Sequence, residues 1–402
     1  MLYKLAFRNL SRQKSRTIAI LATVALGVTA LMIYHGFNTG ITNQYRENTV
    51  HARYGHGQVN TKGFRDKHWE KPWEQWMPAD HPVIADLKAM PEVGHVFPRV
   101  SFYGLLNRGG QTLSGYGEGV VGPEEAGFFT TINIIAGETL SLEDDGIILG
   151  KGLAENLNAK IGDTVTVLTN TVDGSLNGLD FRLVGIFFTG MKSFDDVLFR
   201  VQLPMAHSLL GTDKVENLAL GLSTHEDWDK VEAMVRAKHP DLEAVPFNVL
   251  DKVFYQNSVD FLEAQFGFIL LVIFAIVILG IFNTVSTVVM ERKSEIGNLR
   301  ANGESKNDIL KLLVVEGIYL GVAGALMGLV LAWVLNATAL SNGIQMPPGP
   351  GITRQFTSFV ELQWSFVPVC LGIGLFSTLL GTVLAGTRLL KQPIVQLLRS
   401  GQ

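Results

Sequence analysis

Four long runs of apolar residues alternate with more polar segments along the chain. Each run holds roughly 20 residues, the length that an α-helix needs to cross the hydrocarbon core of a bilayer. We term them spans 1 to 4, and they cover residues 17–37, 266–290, 312–335 and 364–384. The pattern therefore predicts a membrane protein with four transmembrane α-helices.

The longest polar interval, residues 38–265, lies between spans 1 and 2 and has the pattern of a mixed α/β domain. Alternating apolar and polar positions predict strands at 164–169 and 181–188, and an amphipathic pattern predicts a helix over 225–238. The part before Pro98 is rich in Trp, His and Pro, whereas the part after it is strand-rich. We expect a large periplasmic α/β domain with helical stalks, built as one compact domain or two subdomains.

The composition agrees with a protein that is partly in the membrane and partly in water. The 402 residues are 47% hydrophobic and 17% charged, and the mean hydropathy is +0.24. The chain is thus too apolar for an ordinary soluble protein and has too many charged residues for a membrane helix bundle alone. The net charge of −4 and the lack of a basic stripe argue against nucleic-acid binding. Cys370 is the single cysteine, so neither a disulfide framework nor a cysteine-based metal site is expected.

Lys and Arg residues in the short segments between the spans predict the orientation in the membrane. Segments 1–16 and 291–311 carry five each, the tail 385–402 carries three, and the opposite loop 336–363 carries only Arg354. Both termini and the 291–311 loop are therefore expected in the cytoplasm of a bacterium, with the large domain in the periplasm. The basic start also resembles a signal peptide, but no small-x-small cleavage site follows the first apolar run. We expect a retained anchor preceded by a cytoplasmic amphipathic segment.

No motif in the sequence predicts a nucleotide, metal or catalytic site. The stretch 146–152, GIILGKG, comes nearest to a phosphate-binding loop, but its first glycine is one residue too close and Gly152 replaces the magnesium-binding hydroxyl. A strand turning into a helix is expected there instead. The histidines lack close ligand spacing, and neither G-x-S-x-G nor H-E-x-x-H occurs. We expect no enzyme activity, and no cofactor bound by this chain.

Three tryptophans lie close together in the sequence HWEKPWEQWMP, at Trp69, Trp73 and Trp76. They are candidates for contact with cargo or with membrane lipid, because amphipathic rings are favoured at the membrane interface. The alternative is a local core under an irregular loop. Three tryptophans would be a costly surface unless something covers them, and the sequence leaves both interpretations open.

Four glycines of span 3 lie on one predicted helix face: Gly317, Gly321, Gly324 and Gly328. Small residues let helix backbones approach closely in lipid, so this face is predicted to pack against another helix. Glu316 lies beside it, within a turn or two of the cytoplasmic edge. Snorkelling, or an ion pair with Lys311 or Arg292, is favoured there over a proton relay.

The loop between spans 2 and 3 reads ERKSEIGNLRANGESKNDILK over residues 291–311. We interpret it as a short surface helix offered to a partner. It resembles the signature loop of FtsX/MacB-type ABC transporter permeases, whose pattern is approximately E-R-x-x-E-I-G-x-L-R-A-x-G-A-x-x-x-x-I. Asn302 and Glu304 depart from that pattern, which has an apolar and a small residue there. The start of the chain is similar to the amphipathic helix of the same family. Residues 146–167 and 181–196 resemble the periplasmic domain of lipoprotein-releasing, LolC/LolE-like subunits.

The resemblance implies a four-span permease that works as a dimer or beside a homologous permease. ATP and Mg²⁺ would be bound by a separate dimer of cytoplasmic ATPase subunits. The 291–311 loop would be the coupling helix, with Glu295 and Arg300 making polar contacts to the ATPase while Ile296 and Leu299 fill its groove. The loop glycines would permit the close approach and the turn. The residues implied in coupling are Glu291, Arg292, Glu295, Ile296, Gly297, Leu299, Arg300 and Gly303.

The implied function is ATP-driven extraction or export of a lipoprotein or other amphiphilic cargo on the periplasmic side of the inner membrane. Two alternatives stay open. One is the permease of a tripartite exporter of small molecules or peptides, and the other is a mechanotransmission or sensor subunit that controls a periplasmic partner. A periplasmic carrier or adaptor protein is a further expected partner, besides the lipid membrane.

Overall fold

The structure of the protein is a computed structural model that describes residues 8, 10, 12, 14–67, 71–142, 145–347 and 355–399. The chain divides into two compact units. Unit 1 comprises Met1–Asn43, Asp260–Gln345 and Thr357–Gln402, and unit 2 comprises Gln44–Val259 and Met346–Phe356. Long helices dominate unit 1, whereas strands and short helices make up most of unit 2.

The helices and strands of the described residues are numbered in chain order. The helices are α1 (Lys14–Thr49), α2 (Phe64–Lys67), α3 (Val83–Lys88), α4 (Gly122–Phe128), α5 (Lys151–Asn156), α6 (Lys192–Asp195), α7 (Leu203–Leu210), α8 (Trp228–Lys238), α9 (Phe247–Leu250), α10 (Asn257–Glu291), α11 (Lys293–Ala301), α12 (Lys306–Thr338), α13 (Val367–Leu390) and α14 (Ile394–Arg399). The strands are β1 (Gly57–Thr61), β2 (Met77–Pro78), β3 (Val93–Arg108), β4 (Gln111–Val120), β5 (Asn133–Gly137), β6 (Gly146–Gly150), β7 (Thr164–Asn170), β8 (Leu176–Phe188), β9 (Leu198–Gln202), β10 (Lys214–Val215), β11 (Asn217–Leu222), β12 (Leu242–Pro246), β13 (Ile344–Met346) and β14 (Phe356–Ser358). Wide π-helical turns occur at Val50–Tyr54 and Lys252–Gln256, and 3₁₀ turns at Pro72–Gln75, His225–Asp227 and Trp364–Phe366.

Four helices of the described residues are long and apolar enough to cross a membrane, judged by length and composition. They are α1 with its π-helical turn, α10, α12, and α13 with the 3₁₀ turn before it. This is the predicted number. However, α1 continues from the predicted end of span 1 at residue 37 to Thr49. The apolar run marks only the part suited to lipid, and the polar residues 38–49 contain no proline that would end the helix.

The helices of unit 1 approach one another through small residues and a buried hydroxyl. The Thr29 hydroxyl donates to the carbonyl oxygens of Ala25, at 2.7 Å, and of Gly328, at 2.9 Å, and so links α1 to α12. Val24, Val28 and Ala325 are fully buried or nearly so in the same apolar cluster. In lipid, such close packing and interhelical hydrogen bonds replace the hydrophobic effect as the force that holds helices together.

Unit 2 is built on a ten-stranded sheet with the order β12-β1-β11-β3-β4-β9-β6-β8-β5, and β7 joins β3 and β8 off this path. The pairings of β3 with β4, β4 with β9, β9 with β6, β6 with β8, β8 with β7 and β7 with β3 therefore close a ring of strands. The sheet contains strands from both sides of Pro98, which itself lies in β3.

The local predictions for this domain agree with its elements, with shifts at the ends. Residues 146–152 form β6 and the start of α5, which is the strand turning into a helix that the sequence favoured over a phosphate loop. The strand predicted at 181–188 begins earlier, at Leu176, because residues 176–180 pair with β7. The helix predicted over 225–238 begins with a 3₁₀ turn and becomes α-helical at Trp228.

Candidate functional site

The predicted coupling segment forms α11, a helix of nine residues, and is thus shorter than the surface helix expected for the whole 291–311 loop. Arg292 separates α10 from α11, with φ −85° and ψ 14°. The helix ends at a turn in which Gly303 has φ +96°, a conformation that glycine adopts without steric cost. Ser305 then caps α12 by accepting the backbone N–H of Asp308 at 3.1 Å. Ile309 and Lys311 consequently belong to α12.

Arg292 is buried at the start of α11 and binds two carboxylates. Its Nη1 donates to Oε2 of Glu316 on α12, and its Nη2 lies 3.5 Å from Oε1 of the same carboxylate. Its Nε donates to Glu295 at 3.1 Å. Glu316 is also buried. The sequence predicted a partner for Glu316, and Arg292 is that partner. At the end of α10, the exposed Glu291 pairs with Arg16 at 2.8 Å.

Arg300 is the corresponding residue at the end of α11. Its Nη1 donates to the carbonyl oxygens of Leu390, at 3.4 Å, and Gln392, at 3.0 Å. The last carbonyls of an α-helix lack intrahelical donors, so a guanidinium there satisfies them and complements the helix dipole. Arg300 thus links α11 to the end of α13 within the same chain.

The apolar side of α11 faces the interior of unit 1. Ile296 is only 2% exposed and belongs to an apolar cluster with Ile309, Leu313 and Leu397. Leu299 packs against that cluster and Gly297 is buried. The expectation that Ile296 fills a groove on a partner does not fit this burial, because its side chain is already enclosed by its own chain.

The surface that α11 leaves open is polar and lies on the opposite side. The Glu295 side chain is 51% exposed. Asn298 and residues 301–308 are exposed as well, including the turn at Gly303. Of the residues predicted to touch a partner, Glu291, Glu295 and Gly303 are therefore accessible, whereas Arg292 and Ile296 are not.

The four span 3 glycines contact two different neighbouring helices. A Cβ on Gly317 would lie 2.9 Å from Oγ1 of Thr382, and one on Gly321 would lie 2.4 Å from Oγ1 of Thr378, both on α13. Gly324 and Gly328 approach α1 instead: a Cβ would lie 2.7 Å from Cβ of Val24 and 2.6 Å from the carbonyl oxygen of Ala25, respectively. The single glycine face of α12 therefore packs against α13 at one end and α1 at the other.

The tryptophan cluster divides between core and half-buried positions. Trp69 lies outside the described residues. Trp76 is 6% exposed in the main core of unit 2, and Trp73 packs against that core from a partly buried position. A lipid or cargo contact through Trp76 does not fit this burial. The local-core interpretation describes Trp73 and Trp76.

A buried network of charges in unit 2 was not anticipated from the sequence. Glu125 accepts from Arg99, with 2.7 Å to Nε and 2.6 Å to Nη2, and from Nη1 of Arg200 at 3.2 Å. Arg200 also pairs with Glu118 at 2.7 Å. Burial raises the pKa of Glu118, but Arg200, Arg99 and Arg53 outweigh this effect and hold the pKa below its usual value.

The π-helical turn at Val50–Tyr54 brings Arg53 to this network. Its guanidinium lies 3.6 Å from Glu118 and 5.1 Å from the ring centre of Tyr116. The Arg53 carbonyl accepts a hydrogen bond from Arg99. Such spacing of a guanidinium over an aromatic ring is a favourable cation–π contact. Nearby, burial raises the pKa of Glu216 to about 6, although Glu216 accepts the backbone N–H of Ser101 at 2.8 Å.

Two further glycines, also missed in the sequence, hold the end of α1 in unit 1. A Cβ on Gly40 would lie 1.8 Å from the carbonyl oxygen of Phe359, and one on Gly36 would lie 3.0 Å from that of Glu361. The Glu361 N–H donates to the Gly36 carbonyl at 2.9 Å. The G-x-x-x-G spacing of Gly36 and Gly40 was the available signal.

Among the described residues, no three His, Cys, Asp or Glu side chains form a metal-binding group.

Two family models match the chain along most of its length. The MacB-like periplasmic core domain matches residues 17–238, which is more than half of the chain, and the FtsX-like permease C-terminal domain matches residues 267–394. The chain belongs to the FtsX/MacB family of ABC transporter permeases. The permease thus combines a MacB-like periplasmic domain with four apolar helices, and the family assigns it to a membrane.

Curated relatives point to the same family. The lipoprotein-releasing system transmembrane protein LolC of Neisseria meningitidis is 28% identical over 337 residues, which cover 80% of this permease and 77% of LolC. LolE of Haemophilus influenzae is 22% identical and covers 97% of this permease and 96% of LolE. The solved periplasmic region of MacB from Actinobacillus actinomycetemcomitans is 14% identical, with a TM-score of 0.35, over 49% of this permease and 91% of that chain.

Proposed function

We propose that this permease couples ATP hydrolysis by a separate cytoplasmic ATPase to the extraction or export of a lipoprotein or other amphiphilic cargo on the periplasmic side of a bacterial inner membrane. The observation that carries the proposal is α11, a short helix with a polar exposed side that lies between two apolar helices and is fixed to its own chain by buried contacts. LolC and LolE are relatives over most of the chain, which supports lipoprotein as the lead cargo.

The proposed topology follows the distribution of Lys and Arg in the short segments. Both termini and α11 lie in the cytoplasm, and unit 2 lies in the periplasm. The permease pairs with a second copy or with a homologous permease, and ATP and Mg²⁺ bind to the ATPase dimer rather than to this chain. A periplasmic carrier or adaptor receives the cargo.

The exposed side of α11 is the proposed contact with the ATPase. It offers Glu295, Asn298 and the turn at Gly303, which are accessible without rearrangement of the buried cluster. A bulky Asn298→Trp substitution should release the ATPase from membranes. ATPase that stays bound to the Asn298→Trp permease would place the contact elsewhere.

The cargo is tested with the complex purified from its native membrane. Mass spectrometry of the co-purified molecules should find lipoproteins or lipids. In proteoliposomes, a soluble carrier should collect lipoprotein in the presence of ATP, and not in the presence of a non-hydrolysable analogue. An empty complex whose ATPase responds only to a protein partner would overturn extraction and favour a mechanotransmission role.

Export through a tripartite assembly is the second candidate, because the periplasmic core domain is MacB-like. In that case the complex should retain a periplasmic adaptor, and ATP should drive small amphiphiles or peptides across the membrane rather than release lipoprotein.

A further inference from the structure

We infer that Arg292 and Arg300 are positioning residues that clamp the two ends of α11 to α12 and α13, so that a load applied to the exposed side of α11 passes to those two helices. This inference rests on the proposed coupling role of α11. It differs from a direct role of these arginines at the ATPase, because both guanidiniums bind groups of their own chain.

The first attachment is the buried pair of Arg292 and Glu316. Arg292 lies between the last residue of α10 and the first residue of α11, whereas Glu316 lies more than two helical turns into α12. The two carboxylate oxygens both face Arg292. Because removal of one partner leaves an uncompensated buried charge, this contact resists separation of α11 from α12.

The second attachment is the contact of Arg300 with the end of α13. Leu390 is the last residue of α13, and Gln392 follows it, so Arg300 reaches carbonyls that have no donor within the helix. The Nη1 of Arg300 carries two N–H groups, so this one nitrogen can donate to both carbonyl oxygens. The contact holds the end of α11 to α13, which is far away in the sequence.

Between the two arginines, Ile296 provides an apolar attachment. It is buried in one cluster with residues from α12, α13 and α14, namely Leu313, Leu389 and Leu397. The three contacts fix one side of α11 along its length, and Glu295 and Asn298 are exposed to solvent on the other side. The helix therefore cannot shift freely without moving α12 and α13 or losing these contacts.

The clamp is tested by the chemical accessibility of Ile296, which does not depend on cargo. The chain has a single cysteine, Cys370, which is fully buried, so an Ile296→Cys permease has a low background of labelling. In inside-out vesicles that contain the permease and its ATPase, a maleimide should label Ile296→Cys slowly. Glu316→Gln or Arg300→Ala should increase the labelling rate about tenfold or more, since each removes hydrogen bonds to a charged group.

Two controls separate the clamp from a general defect. Lys311→Gln breaks an exposed pair with Asp308 and should leave labelling unchanged. Arg300→Lys keeps a cation with N–H donors at this position, so it should raise labelling less than Arg300→Ala, and this difference separates loss of the carbonyl contacts from a general folding defect. The charge exchange Arg292→Glu with Glu316→Arg should restore a large part of the protection that Glu316→Gln loses.

The coupling ratio gives the second readout. Arg300→Ala and Glu316→Gln permeases should retain the ATPase and its hydrolysis while cargo released per ATP falls about tenfold, in line with the labelling change. Asn298→Trp should instead lose the ATPase. Unchanged labelling at position 296 in the Arg300→Ala and Glu316→Gln permeases would overturn the clamp. Faster labelling of the two variants, together with a wild-type permease that moves no cargo, would support the clamp and reject the proposed transport.

Discussion

The buried charges of unit 2 predict a large effect of a small substitution, Glu125→Gln. Glu125 is 1% exposed and its carboxylate receives three hydrogen bonds, two from Arg99 and one from Arg200. The amide has nearly the same shape but no charge. It would leave three guanidiniums, those of Arg53, Arg99 and Arg200, facing Glu118.

Loss of one partner from a buried ion pair costs about 3–5 kcal/mol. In a domain of this size, 1 kcal/mol corresponds to roughly 2–4 °C in Tm, so Glu125→Gln should lower the Tm of unit 2 by about 6–20 °C. The assay is thermal unfolding of the purified full chain in detergent. Hydrogen exchange of the peptides that cover β4 and β9 should rise in parallel, because these strands carry Glu118 and Arg200.

The neighbouring residue supplies a matched control. Glu124 is exposed on the same short helix, next to Glu125. Glu124→Gln therefore removes the same charge at an adjacent position and should change Tm little. Adding Arg99→Met to Glu125→Gln removes one unpaired cation and should recover part of the loss. If Glu125→Gln and Glu124→Gln unfold at the same temperature, the network does not stabilise the fold in the way its geometry implies.

Further substitutions test three separate features. Gly40→Ala should lower the amount of folded permease in membranes, measured by fluorescence-detected gel filtration, since a Cβ would lie 1.8 Å from the Phe359 carbonyl oxygen; an unchanged profile would contradict this packing. The raised pKa of Glu216, about 6, implies that unit 2 loses stability as the pH rises from about 4.5 through 6, because the folded state there holds a proton that the unfolded state releases. Glu216→Gln should flatten the Tm–pH profile in this window. An equally steep profile in the variant would show that Glu216 is not the group whose titration lowers the stability. Trp76→Ala should destabilise unit 2 by about 3–5 kcal/mol in chemical unfolding, and Trp73→Ala by less; equal effects would mean that the two rings are equally buried.

The number and type of the long helices could be predicted from the sequence because a membrane-crossing helix is a local property. A run of about 20 apolar residues is enough to identify it. The extent of α1 could not be read in this way, since residues 38–49 continue the helix with polar side chains. The length of α11 was missed for a related reason. The Gly303 turn divides a segment that is helix-prone throughout, and only the backbone shows where one helix ends and the next begins.

The candidate site was identified by its pattern, but the direction of its side chains was not. Arg292, Ile296 and Arg300 lie in a charged loop, where surface positions are the ordinary expectation. The burial of Arg292 depends on Glu316, and the inward direction of Arg300 depends on the carbonyls at the end of α13; both partners are distant in the sequence. The charges of unit 2 were missed for the same reason. Arg99, Glu118 and Arg200 lie on strands whose pairing closes a ring, and no local pattern reveals that partnership.

The closed ring of strands has a consequence for how unit 2 meets other proteins. Because a ring has no terminal strand, the path of the ten-stranded sheet in the described part of the chain ends at β5 and β12, and a terminal strand exposes a row of unpaired backbone groups. Both strands have five residues. In β5 the register skips Ile135, a bulge that bends the edge, and β12 ends at Pro246, which has no backbone N–H to offer. The two terminal strands of the ten-stranded sheet are therefore poor templates for strand-to-strand pairing with another chain.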